Sequence, residues 1–254
     1  MSEYLRTLLI VCPLIFIGAF IDAVAGGGGL ITLPAYMLAG LPTHMAAGTN
    51  KLVASLGSAS ASVKYIRSGN VVFTPALCAA AGAFLGAAAG SRLAVYLPDR
   101  VLRIIIVAAL PVVAAIVLTR RGFGESAEKD LSRRKEMLVS LAIGLCIGMY
   151  DGLVGPGTGT FLMLAFCAFL GLDLLHATGC AKISNLASNI ASVIVFALNG
   201  NINYSVALPA ICFSVAGGLL GARYAVRGGN RNIKRVLALV LVLLFAKLAY
   251  DLLF

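Results

Sequence analysis

The sequence predicts an all-α polytopic membrane protein built from two homologous repeats. Three observations carry that prediction. The mean hydropathy is +0.98. Hydrophobic residues make up 60% of the chain and charged residues only 12%, which is not the composition of a soluble domain. Apolar runs long enough to cross about 30 Å of hydrocarbon recur along the whole chain, without the alternation in runs of about ten that marks a transmembrane β-barrel. Finally, residues 22–51, DAVAGGGGLITLPAYMLAGLPTHMAAGTNK, return at 151–182 as DGLVGPGTGTFLMLAFCAFLGLDLLHATGCAK. In each copy an aspartate leads, a glycine-rich break comes next, and a lysine closes the stretch.

Each repeat divides into about five helical segments, the first pair separated by a glycine break. A helix is predicted over 4–22. Gly26 to Gly29 end it, because glycine has no side chain to favour the helix and admits turns that other residues resist. A short helix over 30–40 leads to the turn Leu41-Pro42-Thr43, with Pro42 suited to the first turn of the third helix. That helix, 44–67, is rich in Ala, Ser and Gly, a composition that permits close packing. Ser68-Gly69-Asn70 turns the chain. Helix 73–96 carries a stripe of small residues at Gly82, Gly86 and Gly90, and helix 101–118 ends the repeat. Residues 120–135, RRGFGESAEKDLSRRK, form the one long polar loop, and the positive-inside bias puts it in the cytoplasm. The second repeat has the same plan. A helix over 136–151 is interrupted at Gly155-Pro156-Gly157, and helices over 160–171, 176–198, 204–226 and 233–253 come after it, with a turn at Asn199-Gly200-Asn201. The chain thus divides into a first transmembrane repeat (1–119), a basic loop (120–135) and a second repeat (136–254).

The start of the chain imitates a secretory signal, with Arg6, an apolar run and Ala23-Val24-Ala25. Cleavage there would cut inside the Asp-x-x-x-Gly pattern that returns at Asp151, so the run is read as a retained helix. The repeat itself extends beyond hydropathy. Shifted by 131, Gly26, Gly28, Gly40, Gly48, Lys51, Gly69, Asn70, Gly86, Gly90 and Arg92 fall on Gly157, Gly159, Gly171, Gly179, Lys182, Gly200, Asn201, Gly217, Gly221 and Arg223. These matches concentrate at turns and breaks, where geometry is demanding. Five crossings per half would make the halves inverted, and a re-entrant second helix would make four crossings and parallel halves. The inverted arrangement is favoured, because it keeps Arg223, Arg227, Arg231, Lys234 and Arg235 on the side of the basic loop. It puts both termini outside.

The formal net charge of +10 is explained by Lys and Arg in cytoplasmic loops facing anionic lipid, so nucleic acid is not an expected partner. The six cysteines lie in apolar runs without metal spacing, and two histidines make no convincing metal site. No cofactor is expected. Nor is there a nucleophile–base–orienter set, so the chain is read as a non-enzyme.

The chemistry therefore concentrates at the two breaks. Hydrocarbon supplies no hydrogen bonds, so a broken helix must face protein or a wet cavity. Two breaks at matching places point to a transporter's binding site. Helix N-termini at Gly26, Gly27, Gly28 and Gly29, and at Gly155, Gly157, Thr158 and Gly159, offer N–H groups and partial positive charge. Lys51 and Lys182 add formal charge, and Asn50, Asn185, Ser188 and Asn189 add donors. The sum favours a small anion. Asp22 and Asp151 are costly within a membrane. Each is read as pairing with its own repeat's lysine, as a carrier of a coupling proton or cation, or as a helix cap.

IDAVAGGGGLITLPAYMLAG, AGTNKLVASLGS, IRSGNV, YDGLVGPGTGTF and AKISNLASN together resemble the TauE/SafE family of sulfite and organosulfur exporters, over nearly the whole chain. The resemblance implies a multi-spanning permease of the plasma (inner) membrane that moves a small sulfur-containing anion. An anion channel or uniporter is the alternative, and a membrane-embedded enzyme a more distant one. A homo-oligomer remains open. Gly27, Gly29 and Asn50 become Thr158, Thr160 and Ala181 in the second copy, so the two half-sites are not expected to be equivalent.

Overall fold

The computed structural model describes residues 3–108 and 131–253, with side chains over 4–108 and 131–238. Among these residues there is no strand. The helices are α1 (Glu3–Ala25), α2 (Gly29–Leu38), α3 (Thr43–Arg67), α4 (Phe73–Tyr96), α5 (Arg133–Leu153), α6 (Thr158–Leu170), α7 (Leu174–Leu198) and α8 (Tyr204–Leu253). Residues 99–108 are also helical. The remainder of the helix predicted over 101–118, and loop residues 120–130, lie outside the described residues. Arg133, Arg134 and Lys135, expected in the loop, instead form the first turn of α5. The helices predicted over 204–226 and 233–253 are joined with almost no loop. One residue, Gly229 (φ 54°, ψ −147°), bends α8 through a backbone conformation open to glycine.

Among the described residues five helices are long and apolar enough to cross a membrane: α1, α4, α5, α7 and the 204–238 part of α8. The chain is a multi-pass membrane protein. Large apolar side chains such as Leu77, Leu85, Leu138, Ile194 and Leu208 stand exposed on the outer surface, where lipid replaces water. The 25 residues of α3 have the length of a span but are less apolar, and α3 packs against both α7 and α8. By contrast, α2 has 10 residues and α6 has 13, which at 1.5 Å per residue gives about 15 and 20 Å. Neither crosses about 30 Å of hydrocarbon alone.

The chain order does not predict which helices touch. The first helix of each half packs on the fourth segment of the other: α1 on α8, and α5 on α4. Likewise α3 packs on α8, and α7 on α4. At one end of the bundle, Tyr4 Oη donates to the Ser205 carbonyl (3.1 Å) and the Asn203 N–H donates to Thr49 Oγ1 (2.9 Å). The starts of α1, α3 and α8 therefore lie together. At the other end, the start of α7 meets the α3–α4 turn, where Gly179 packs on the Asn70 carbonyl, and meets the α8 bend, where the Leu175 N–H donates to Asn230 Oδ1 (2.9 Å). The matched glycines at breaks and turns share positive φ: Gly26 and Gly157 (79° and 83°), Gly40 and Gly171 (87° and 74°), Gly69 and Gly200 (72° and 69°).

Missing side chains make the close contacts possible. On α4, Gly82, Gly86 and Gly90 lie against the carbonyls of Leu141, Leu145 and Met149; on α5, Gly144, Gly148 and Gly152 lie against those of Ala79, Ala83 and Ala87. The two helices thus share a seam of small residues on both sides, the arrangement that lets membrane helices gain dispersion energy where burial from water contributes little. Gly217 and Gly221 of α8 meet the Phe16 and Phe20 carbonyls of α1 in the same way. A Cβ at any of these positions would overlap backbone, which cannot rotate aside. Gly86→Leu or Gly148→Leu is therefore expected to cost several kcal/mol and to remove the monodisperse folded protein in detergent size-exclusion chromatography. Leu85→Ala, one residue away on the lipid face, should leave the elution profile unchanged.

Candidate functional site

Helix α1 ends three residues past Asp22, and α5 ends two past Asp151. Both aspartates thus sit in the last helical turn, with a glycine elbow immediately behind. After the first elbow α2 folds back, so that Gly28 lies on Gly18 and Asp22. The two elbows then touch: a Cβ on Gly26 would overlap the Gly159–Thr160 backbone, and one on Gly159 would overlap Gly26. Thr160 Oγ1 donates to the Ala25 carbonyl (2.8 Å), closing the crossing with a buried hydrogen bond. Two bare backbones in contact leave no room for side chains, which is what the glycine runs provide.

Crossing of the elbows carries each aspartate into the other half. Lys51 Nζ lies 2.7 Å from Asp151 Oδ2, and Lys182 Nζ lies 2.6 Å from Asp22 Oδ2. Pairing of each aspartate with its own repeat's lysine, expected from the sequence, is therefore corrected. So is the helix-cap reading, since Asp22 accepts from Lys182, and Asp151 from Lys51 and Ser188, rather than from helix N–H groups. The pairs differ in surroundings. Asp151 is 3% exposed and also accepts from Ser188 Oγ at 2.6 Å, whereas Asp22 is 21% exposed. Lys182 is fully enclosed.

A cavity opens between the elbows, α3 and α7, with about 590 Å³ of open space, mouth included. Asp22, Gly26, Gly28, Gly29, Asn50, Lys51, Asp151, Gly155, Thr158, Gly159, Asn185 and Asn189 line it. Most of the residues singled out by sequence thus meet at one place. Gly27, Gly157 and Lys182 do not line it: Gly157 is the left-handed residue that opens α6, and Lys182 contacts Asp22. The sequence reading missed Gly18, Thr32, Gly57, Ser58 and Ser214, which also line the cavity. Gly18 comes from α1, Gly57 and Ser58 from α3, and Ser214 from α8, none of them near a break. Ser58 did carry a signal, since it falls 131 residues before Asn189.

The site carries little net charge of its own. Each lysine faces a carboxylate, so the four groups are formally neutral together, and Thr158 Oγ1 turns back to the Gly155 carbonyl (2.7 Å). The amides of Asn50, Asn185 and Asn189 supply the polarity of the walls, with Asn189 Nδ2 donating to Asn185 Oδ1 at 3.1 Å. A negative solute at Lys51 would have to replace or neutralise Asp151. The histidines stand apart at helix starts, His44 against Asp99 and His176 against Asp173.

Removing one partner of a buried pair strands the other charge, at a cost of about 3–5 kcal/mol. Lys51→Ala should lower the detergent melting temperature sharply, and Lys51→Ala with Asp151→Ala should recover most of the loss. Lys182→Ala should cost less, because the stranded Asp22 is 21% exposed against 3% for Asp151. An own-repeat double variant, Lys51→Ala with Asp22→Ala, should show no recovery.

The comparisons with known proteins agree over nearly the full chain. The family model for the sulfite exporter TauE/SafE matches residues 11–248. A probable membrane transporter protein, ORF9, of a Sinorhizobium species is 37% identical over 236 residues, covering 93% of this chain and 90% of that protein. The probable membrane transporter protein YfcA of Escherichia coli K12 is 34% identical over 258 residues, covering 98% and 95%. One from Haemophilus influenzae is 34% identical over 236 residues, covering 93% and 92%. No solved structure matches. A match of this extent, on a multi-pass bundle with paired glycine elbows, makes the chain a member of the TauE/SafE family of membrane transporters.

Proposed function

We propose that this protein is a secondary transporter of the plasma membrane that moves a small anion, sulfite, a sulfonate or another organosulfur compound, by alternating access between two inverted repeats. The observation that carries this reading is the crossing of two broken helices beside a polar cavity, with an ion pair from each half to the other. The positive φ shared by glycines 131 residues apart supports the repeat. The exchanged packing of α1 on α8 and α5 on α4, with the start of α1 at one end of the bundle and that of α7 at the other, supports the inversion. The family's description as a sulfite exporter supports the substrate class.

In this mechanism Lys51 binds the anion, which takes the place of Asp151 as its partner, while Ser188 holds the displaced carboxylate. Asn50, Asn185 and Asn189 donate to the anion's oxygens. A proton taken up by the displaced carboxylate would keep the site neutral and couple anion movement to the pH gradient. The cross-half pairs differ in burial, and breaking and remaking them is the step that lets one half rock against the other.

The test is flux of labelled sulfite and sulfonates in proteoliposomes. The parent should show saturable flux that slows when the pH gradient is collapsed. Lys51→Arg, which keeps the charge and alters the geometry, should lower flux at least about tenfold at near-parental stability. Non-saturating flux indifferent to coupling would identify a channel instead, and chemical change of the solute by the purified protein would identify an enzyme.

A further inference from the structure

We propose that Ser58 is a substrate-binding residue, donating its hydroxyl to an oxygen of the anion held at Lys51. The inference rests on the transport reading above and adds a specificity residue to it.

Ser58 is 2% exposed and lines the cavity, yet its Oγ has no hydrogen-bond partner among the described residues. Three other serines nearby, Ser55, Ser184 and Ser188, behave differently. Ser55 returns its hydroxyl to the Leu52 carbonyl (2.7 Å), Ser184 to the Cys180 carbonyl (3.1 Å), and Ser188 binds Asp151. In an apolar bundle this local return to the helix is the easy solution for a buried hydroxyl. Ser58 forgoes it at the wall of the polar chamber into which a hydrogen-bonding solute fits. Lys51 and Ser58 are seven residues apart on α3, two helical turns on one face, and both line the same cavity. Opposite them, Asn189 of α7, at the matching place in the second half, contributes an amide to the same chamber. A hydroxyl and an ammonium on one wall with amides on the other suit an oxyanion with several acceptor oxygens, of the sulfite, sulfonate or carboxylate type. They suit a halide or a thiolate less, since those lack spread acceptors.

A second orphan serine serves as an internal control. Ser62 Oγ is also buried without a partner among the described residues, one turn further along α3, but it does not line the cavity. If an unpartnered serine hydroxyl were a property of close α3 packing, the two would respond alike to substitution.

The experiment measures sulfite and sulfonate flux in proteoliposomes against concentration, together with melting temperatures in detergent with and without sulfite. For Ser58→Ala, KM should rise about tenfold with an unchanged melting temperature in the absence of sulfite, and the stabilisation by sulfite should shrink. Ser58→Thr, which keeps the donor, should retain a near-parental KM, and Ser58→Cys, a weak donor, should fall between. Ser62→Ala should match the parent. A parental KM in Ser58→Ala, or equal KM increases in Ser58→Ala and Ser62→Ala, would overturn the assignment while leaving transport intact. A parent that carries none of the oxyanions and is not stabilised by them removes the transport reading, and this inference with it.

Discussion

The arrangement depends on two ion pairs in a medium that cannot hydrate them. Lys51 with Asp151 and Lys182 with Asp22 each join the two halves of the chain. A carboxylate or ammonium buried here without its partner would face a large desolvation cost. Each therefore ties the position of one elbow to the position of a helix in the other half. The elbows must cross for the pairs to form, and the crossing demands bare backbone at Gly26 and Gly159. The glycine runs, the short α2 and α6, and the seam of small residues between α4 and α5 all serve to bring backbone this close.

The same pairs explain how such a site could be both stable and mobile. A charge held only by its partner can be released when a solute of the same sign takes that partner's place. The two pairs are unequal: Ser188 shares Asp151, and nothing among the described residues does the same for Asp22. Asp22 is also 21% exposed against 3% for Asp151, while its partner Lys182 is sealed. The non-equivalence already visible in Gly27, Gly29 and Asn50 against Thr158, Thr160 and Ala181 thus extends to the surroundings of the two pairs. Thr160 illustrates the consequence, since its hydroxyl pins one elbow to the Ala25 carbonyl of the other, a bond that a glycine could not make.

Much of this was legible without coordinates. Helix positions came from apolar runs, and turns from Gly and Pro, because in a membrane those signals are strong and few. The small-residue stripes on α4 and α8 were legible as packing surfaces, but not their partners, since Gly144 and Gly148 were read only as part of an apolar helix and Gly152 fell just past its predicted end. The joint at Gly229 was read as a loop because Arg227 to Asn232 is polar; one glycine in a positive-φ conformation sufficed to redirect the helix. Ser58 was passed over because a lone serine in an Ala- and Ser-rich helix looks like packing.

Sequence alone is enough to establish a helical membrane protein with two matching glycine breaks, an acid before each and a base after each. These are local properties: hydropathy acts over about twenty residues, and glycine and proline act on their own dihedrals. Which acid meets which base is settled only in three dimensions. Pairing across about 100 to 160 positions depends on how two elbows cross in space, and four charges of alternating sign fit the own-half and the cross-half pairing equally well on paper. The crossing, set by backbone contact at Gly26 and Gly159, selects the second.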